Sequence, residues 1–86
     1  MSGESSDRVI LYVRQECHLC DAARAVVAEV AAATGVTWSE VDVDEDPRVA
    51  AVYGELVPVV TVDGVQQGYW RLDARRVRRA VEAGGA

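Results

Sequence analysis

Eighty-six residues, half of them hydrophobic, suffice for one domain with a single core. Fourteen acidic residues against nine basic ones give a net charge of −5, which argues against nucleic acid as the main partner, because neutralising phosphates takes a surplus of cations. No stretch approaches the ~20 apolar residues of a membrane span and the polar start carries no signal-peptide core, so a cytoplasmic monomer away from membranes is expected.

Residues 1–7 read as a flexible tail ahead of a domain spanning 8–86. The run Val9-Ile10-Leu11-Tyr12-Val13, apolar between Arg8 and Arg14, predicts a strand buried on both faces. Beyond Cys17-His18-Leu19-Cys20, the positions Cys20, Ala23, Val27, Val30, Ala31 and Thr34 recur at helical spacing. They predict a helix over 18–34 that Gly35 closes. Residues 36–43 alternate through Val36, Trp38, Val41 and Val43 and predict a second strand. Asp46-Pro47 joins an N-cap to proline at the first helical position. The short helix it opens runs through Val49, Val52 and Tyr53 and stops at Gly54.

Val59-Val60-Thr61-Val62 predicts a third strand, Asp63-Gly64 a hairpin turn and residues 65–68 a fourth strand. One of Tyr69 and Trp70 is expected to cover the core. Asp73 caps a last helix whose inner face is Val77, Ala80 and Val81, ending at Gly84-Gly85. Its arginines, with Arg71, read as a solvated face balancing the acidic run 40–46, or as a docking surface for an acidic partner. The order β-α-β-α-β-β-α predicts an α/β fold, a four-stranded mixed sheet flanked by helices.

Two cysteines three apart cannot staple distant parts of a fold. In a reducing compartment such a pair is catalytic, redox-sensing or metal-binding. It stands where the first strand turns into the first helix, and nothing in Arg14-Gln15-Glu16 is a preferred N-cap. A thiolate on Cys17 can fill that place, accepting from the amides of Leu19 and Cys20, with the positive end of the helix favouring the same charge. Cys20 faces the core one turn on and is the less exposed thiol. Cys17 is therefore expected to attack a disulfide and Cys20 to resolve the mixed disulfide. His18, if protonated, reinforces the field at Cys17; otherwise it is an exposed helix-start residue. A closed zinc site lacks ligands, since two cysteines and one histidine fall short of the four required, so no metal is expected.

The chain resembles the glutaredoxin-like branch of the thioredoxin superfamily. The likeness is carried by Leu11-Tyr12 before Cys17-His18-Leu19-Cys20-Asp21, by Asp42-Val43-Asp44, by Val57-Pro58-Val59 and by Asp63-Gly64. It implies a thioredoxin-like fold and dithiol–disulfide exchange, with Cys17 as nucleophile, Cys20 as resolving thiol and His18 and Leu19 as the intervening substrate-side residues. It further implies that Val57 and Pro58 form a cis-proline dipeptide whose freed backbone pairs with the substrate chain. Taken alone, Pro58 reads as an ordinary strand-opening proline.

By the same likeness Arg14 stands in for a lysine ahead of the motif, and Asp73 is either the remnant of a glutathione-carboxylate site or a plain helix cap. Leu56 replaces the family's threonine, and Gly68-Tyr69-Trp70 lacks its paired glycines. No tightly bound cofactor is implied. Glutathione is a candidate co-substrate, the partner being a disulfide-containing protein or glutathione and the electron donor a reductase or glutathione. The alternative is an iron–sulfur-cluster-binding module bridged through Cys17, or a redox sensor with little turnover.

Overall fold

A computed structural model of the chain describes residues 7–84, so the expected tail, Asp7 apart, and Gly85 lie outside the described residues. The elements are β1 (Val9–Val13), α1 (His18–Thr34), β2 (Trp38–Asp42), a 3₁₀ turn (Val43–Glu45), α2 (Pro47–Tyr53), β3 (Val59–Val62), β4 (Val65–Tyr69) and α3 (Ala74–Gly84). The strands form one mixed sheet in the order β2-β1-β3-β4. β1 runs parallel to β2 and antiparallel to β3, and β3 pairs antiparallel with β4. A parallel neighbour requires a crossover, and α1 supplies it.

Register sorts the side chains onto two faces. Val9 lies opposite Val62 and Leu11 opposite Val60. These positions join Val13, Cys20, Ala23, Val27, Val30, Val77 and Val81 in the core beneath α1 and α3, which pack against each other. Ile10 and Tyr12, one residue out of phase, pair with Thr61 and Val59 and turn to the other face. There the Tyr12 and Tyr53 rings lie 4.5 Å apart between centroids, which brings the end of α2 onto β1. β1 is thus fully buried on one face and half-buried on the other, where burial on both was expected.

Local chemistry sets the boundaries. Gly35 ends α1 at φ 77°, donating its amide to Ala31 O, a left-handed position that glycine adopts without a Cβ penalty. The Asp46 carboxylate accepts from the Arg48 amide, with Pro47 next, at the start of α2. Asp63 and Gly64 both have positive φ, matching the strand twist across the tight β3–β4 turn.

The second strand is shorter than the alternation predicts. The Asp42 carboxylate accepts from the Asp44 amide and turns the chain, so Val43 leaves the strand and is buried in the 3₁₀ turn. Val52 of α2 is exposed, and β4 runs one residue further than expected, to Tyr69. The acidic run is balanced by Arg14, Arg24 and Arg48, which pair with Asp44, Glu40 and Asp46, and not by α3.

Arg8 fastens three elements together. Its guanidinium meets both Asp63 oxygens at 2.9 Å and donates to Val81 O at 2.9 Å, tying the start of β1 to the hairpin turn and to α3. The hydrogen bond from Arg8 holds the Asp63 carboxyl below its ordinary range. A folded-state value below the unfolded one stabilises above the ordinary carboxylate range and is lost as pH falls through the folded value. Acid unfolding followed by circular dichroism should therefore be shallower at its acidic end in Asp63→Asn than in wild type. Leu11, 0% exposed at the sheet centre, should cost about 2–5 kcal/mol on truncation to Ala, read as a lower urea midpoint at unchanged slope.

Candidate functional site

The loop between β1 and α1 makes the site. Glu16 takes a positive φ of 56°, uncommon for a residue with a side chain, and turns the strand into the helix start. Cys17 follows with extended backbone as the N-cap, and its Sγ accepts the Cys20 amide at 3.2 Å. Only one of the two expected amides is engaged, since the Leu19 amide makes no such bond. Cys17 is half-buried and Cys20 fully buried, both as free thiols. Burial, and then the hydrogen bond to Cys17, push the Cys20 thiol up to about 11. One thiol is offered to solvent at the positive end of α1, and the other is kept protonated under it.

Sheet register brings the proline to the same place. Tyr12 lies opposite Val59, so Pro58 enters β3 at the end of the sheet where β1 runs out toward Cys17. The Val57–Pro58 peptide bond is cis. Val57 and Cys17 both pack against the core, and among the described residues Val57 makes no hydrogen bond.

Trp70 locks the adjoining edge, a role that sequence reasoning missed. At φ 61° its amide donates to Pro58 O at 2.9 Å and Leu56 O at 3.3 Å, and its indole Nε1 donates to Glu55 O at 3.2 Å. The Tyr69 and Trp70 rings meet edge to face, and both residues are exposed, so neither covers the core as expected. The only sequence signal was two aromatics directly after a short strand, which does not foretell a left-handed backbone.

The other expected residues scatter. His18 and Leu19 are exposed in the first turn of α1, and Leu19 lines a groove of about 180 Å³ with Ala22, Val26, Trp70, Arg71 and Leu72. Arg14 approaches Cys17 closely enough to feel its charge, but its donors go to Asp44, at 3.0 Å twice, and to Gly54 O at 3.1 Å. A Cβ at position 54 would stand 3.1 Å from Arg14 Nη2 and 2.5 Å from Ala50 O, so glycine is what permits that approach. Asp73 caps α3 by accepting from the Arg75 amide at 2.9 Å, and it lines a cleft with Gln67, Arg76 and Arg79, apart from the Leu19 groove. Among the described residues no group of three or more His, Cys, Asp or Glu side chains could hold a metal ion. No helix among them is long and apolar enough to cross a membrane.

A thiol pair opening the first helix, beside a proline opening the third strand of a mixed sheet, defines the thioredoxin-like class. Residues 8–82 match the family described as glutaredoxin-like domain (DUF836), and the chain belongs to it. The uncharacterized protein Rv0508 of Mycobacterium tuberculosis (strain ATCC 25618 / H37Rv) is 32% identical over 79 residues, 86% of this chain and 81% of that protein. The X-ray structure of target protein XcR50 from X. campestris is 33% identical with a TM-score of 0.70, covering 87% of this chain and 96% of the other. The holo form of glutaredoxin C1 from Populus tremula x tremuloides has a TM-score of 0.65 over 95% of this chain and 82% of its own. At 20% identity that likeness is one of fold. The fold goes with redox function.

The two thiols should be chemically distinct. When the reduced protein is alkylated with iodoacetamide and mapped by mass spectrometry, label should appear on Cys17 at neutral pH. Label on Cys20 should lag until pH approaches 11, well above the ~8.5 of a free thiol.

Proposed function

We propose that the protein is a dithiol thiol–disulfide oxidoreductase. The observation that carries this reading is the stacked pair at the head of α1, with Cys17 Sγ capping the helix and accessible and Cys20 buried under it. The Cys17 thiolate attacks one sulfur of a substrate disulfide, forming a mixed disulfide and expelling the other sulfur as a thiolate. Cys20 then loses its proton to the departing thiolate or to water and attacks Cys17 Sγ. The Cys17–Cys20 disulfide forms and the second substrate thiol leaves. The substrate gains two electrons and two protons, and the enzyme disulfide is reduced by two glutathiones or by a dithiol reductase.

The separation of the two thiols supports this order. The one that attacks must be reachable, and the one that resolves must wait. The free backbone of Val57 at the mouth of the sheet suits an extended substrate segment that pairs with it as an added strand. His18 and Leu19 flank the reacting sulfur on the exposed turn. Of the positions the family resemblance offers for glutathione, Arg14 and Asp73 are already engaged within the fold, which favours a protein disulfide as substrate and leaves glutathione the role of reductant.

Purified wild type, Cys17→Ser and Cys20→Ser should separate cleanly. Cys17→Ser should lose all turnover of a protein disulfide. Cys20→Ser should accumulate a mixed disulfide at Cys17, visible by mass under non-reducing conditions. Wild type equilibrated against a glutathione buffer series should form the intrachain disulfide. Failure to form it at any poise would refute the proposal.

A further inference from the structure

The nine arginines divide by what they touch. Arg8, Arg14, Arg24, Arg48 and Arg78 each meet a carboxylate, at separations from 2.7 to 3.7 Å. Arg71, Arg75, Arg76 and Arg79 are exposed, and among the described residues none has a carboxylate within ion-pair distance. All four stand in or just before α3, in a protein whose net charge is −5.

Their placement works against the helix. Arg75 and Arg76 put cations on its first turn, at the positive end of the dipole, and Arg75 and Arg79 are like charges one turn apart. A local arrangement that costs stability and forms no internal ion pair is expected where a function requires it. The cationic strip also begins at the redox site. Arg71 lines the groove with Leu19 and Trp70, which are 36% and 52% exposed. Further along the same α1–α3 seam, Arg75 lines a second recess with Glu29 and Ala33, while Arg76 and Arg79 line the cleft on the other flank of α3 with Gln67 and Asp73, so the four cations spread over the outer surface of the helix.

We infer that this strip docks an acidic segment of a protein disulfide partner. One apolar side chain of the partner lodges between Leu19 and Trp70, while its carboxylates meet Arg71, Arg75, Arg76 and Arg79. The inference rests on the redox reading above and adds to it the charge of the substrate. A polypeptide fits better than a nucleic acid. The groove takes an apolar side chain, and a chain with a net charge of −5 repels an extended polyanion as a whole.

The test compares two disulfide-bonded peptides that differ only in flanking residues, glutamates in one and lysines in the other. At low ionic strength the acidic peptide should be reduced with kcat/KM about tenfold higher, and high salt should erase the preference. Arg75→Gln, Arg76→Gln and Arg79→Gln combined should bring the ratio close to one, glutamine being an adequate helix former. Equal kcat/KM for the two peptides at low salt overturns the inference while leaving the oxidoreductase intact.

If neither peptide is turned over, the redox reading has failed, and docking is then judged by binding alone. Backbone amide shifts are followed as a cysteine-free acidic peptide is titrated into the wild-type protein. Shifts along α3 and around Leu19 support docking, and no shifts there overturn it. Tighter binding of a single-stranded oligodeoxynucleotide than of the peptide also overturns it, assigning the strip to nucleic acid.

Discussion

The amide of Cys20 points at the sulfur of Cys17, and that hydrogen bond joins the backbone, the packing and the chemistry of the molecule. A helix needs an acceptor at its N-terminus, where its first amides have no partner within the helix. The acceptor here is a cysteine, so the group that satisfies the backbone is the group that can react. The same turn directs Cys20 inward, where Ala23, Val27 and Val30 continue the buried stripe. The asymmetry between the thiols is therefore a consequence of helix periodicity. It depends on β1 being held in the sheet centre, because β1 delivers the chain to that turn.

Charge is distributed with comparable economy. Three of the nine arginines hold elements together: Arg8 binds β1 to the hairpin and α3, Arg14 binds the edge of the site to the 3₁₀ turn and α2, and Arg24 binds α1 to β2. The acidic run after β2 is thereby largely neutralised where it stands. What remains is a positive helix on an acidic protein. Solvent-exposed ion pairs contribute little stability one at a time. The charges left unpaired are the more informative, since nothing inside the fold accounts for them.

Most of the fold was legible because its signals are local. The β-branched runs Val9–Val13 and Val59–Val62, the α1 stripe closed by Gly35, and the Asp46-Pro47 start each act over a few residues and survive in the structure. The cysteine pair was legible from its place between a strand and a helix, but Pro58 joined it only through the family resemblance, and the pairing of β1 with β3 is what brings the two together. What was not legible depends on tertiary context. Val43 looks like a strand residue until the Asp42 side chain turns the chain. Trp70 could not be foreseen, because its positive φ is held by carbonyls of residues 56 and 58, more than ten positions away in the chain. Arg14 and Asp73 were legible as charges near the site, but not as charges already committed to Asp44 and to the α3 cap.

The cap at Cys17 also links conformational stability to redox poise. A closed thermodynamic cycle connects four states of the chain, folded and unfolded, dithiol and disulfide. Any free energy by which a capping thiolate steadies the folded dithiol must reappear as a shift in reduction potential relative to the unstructured pair. A better cap makes the reduced fold sturdier and the oxidised protein a stronger oxidant, by the same amount. Residues that never approach a substrate, such as those fixing the start of α1, thus set the direction in which electrons run.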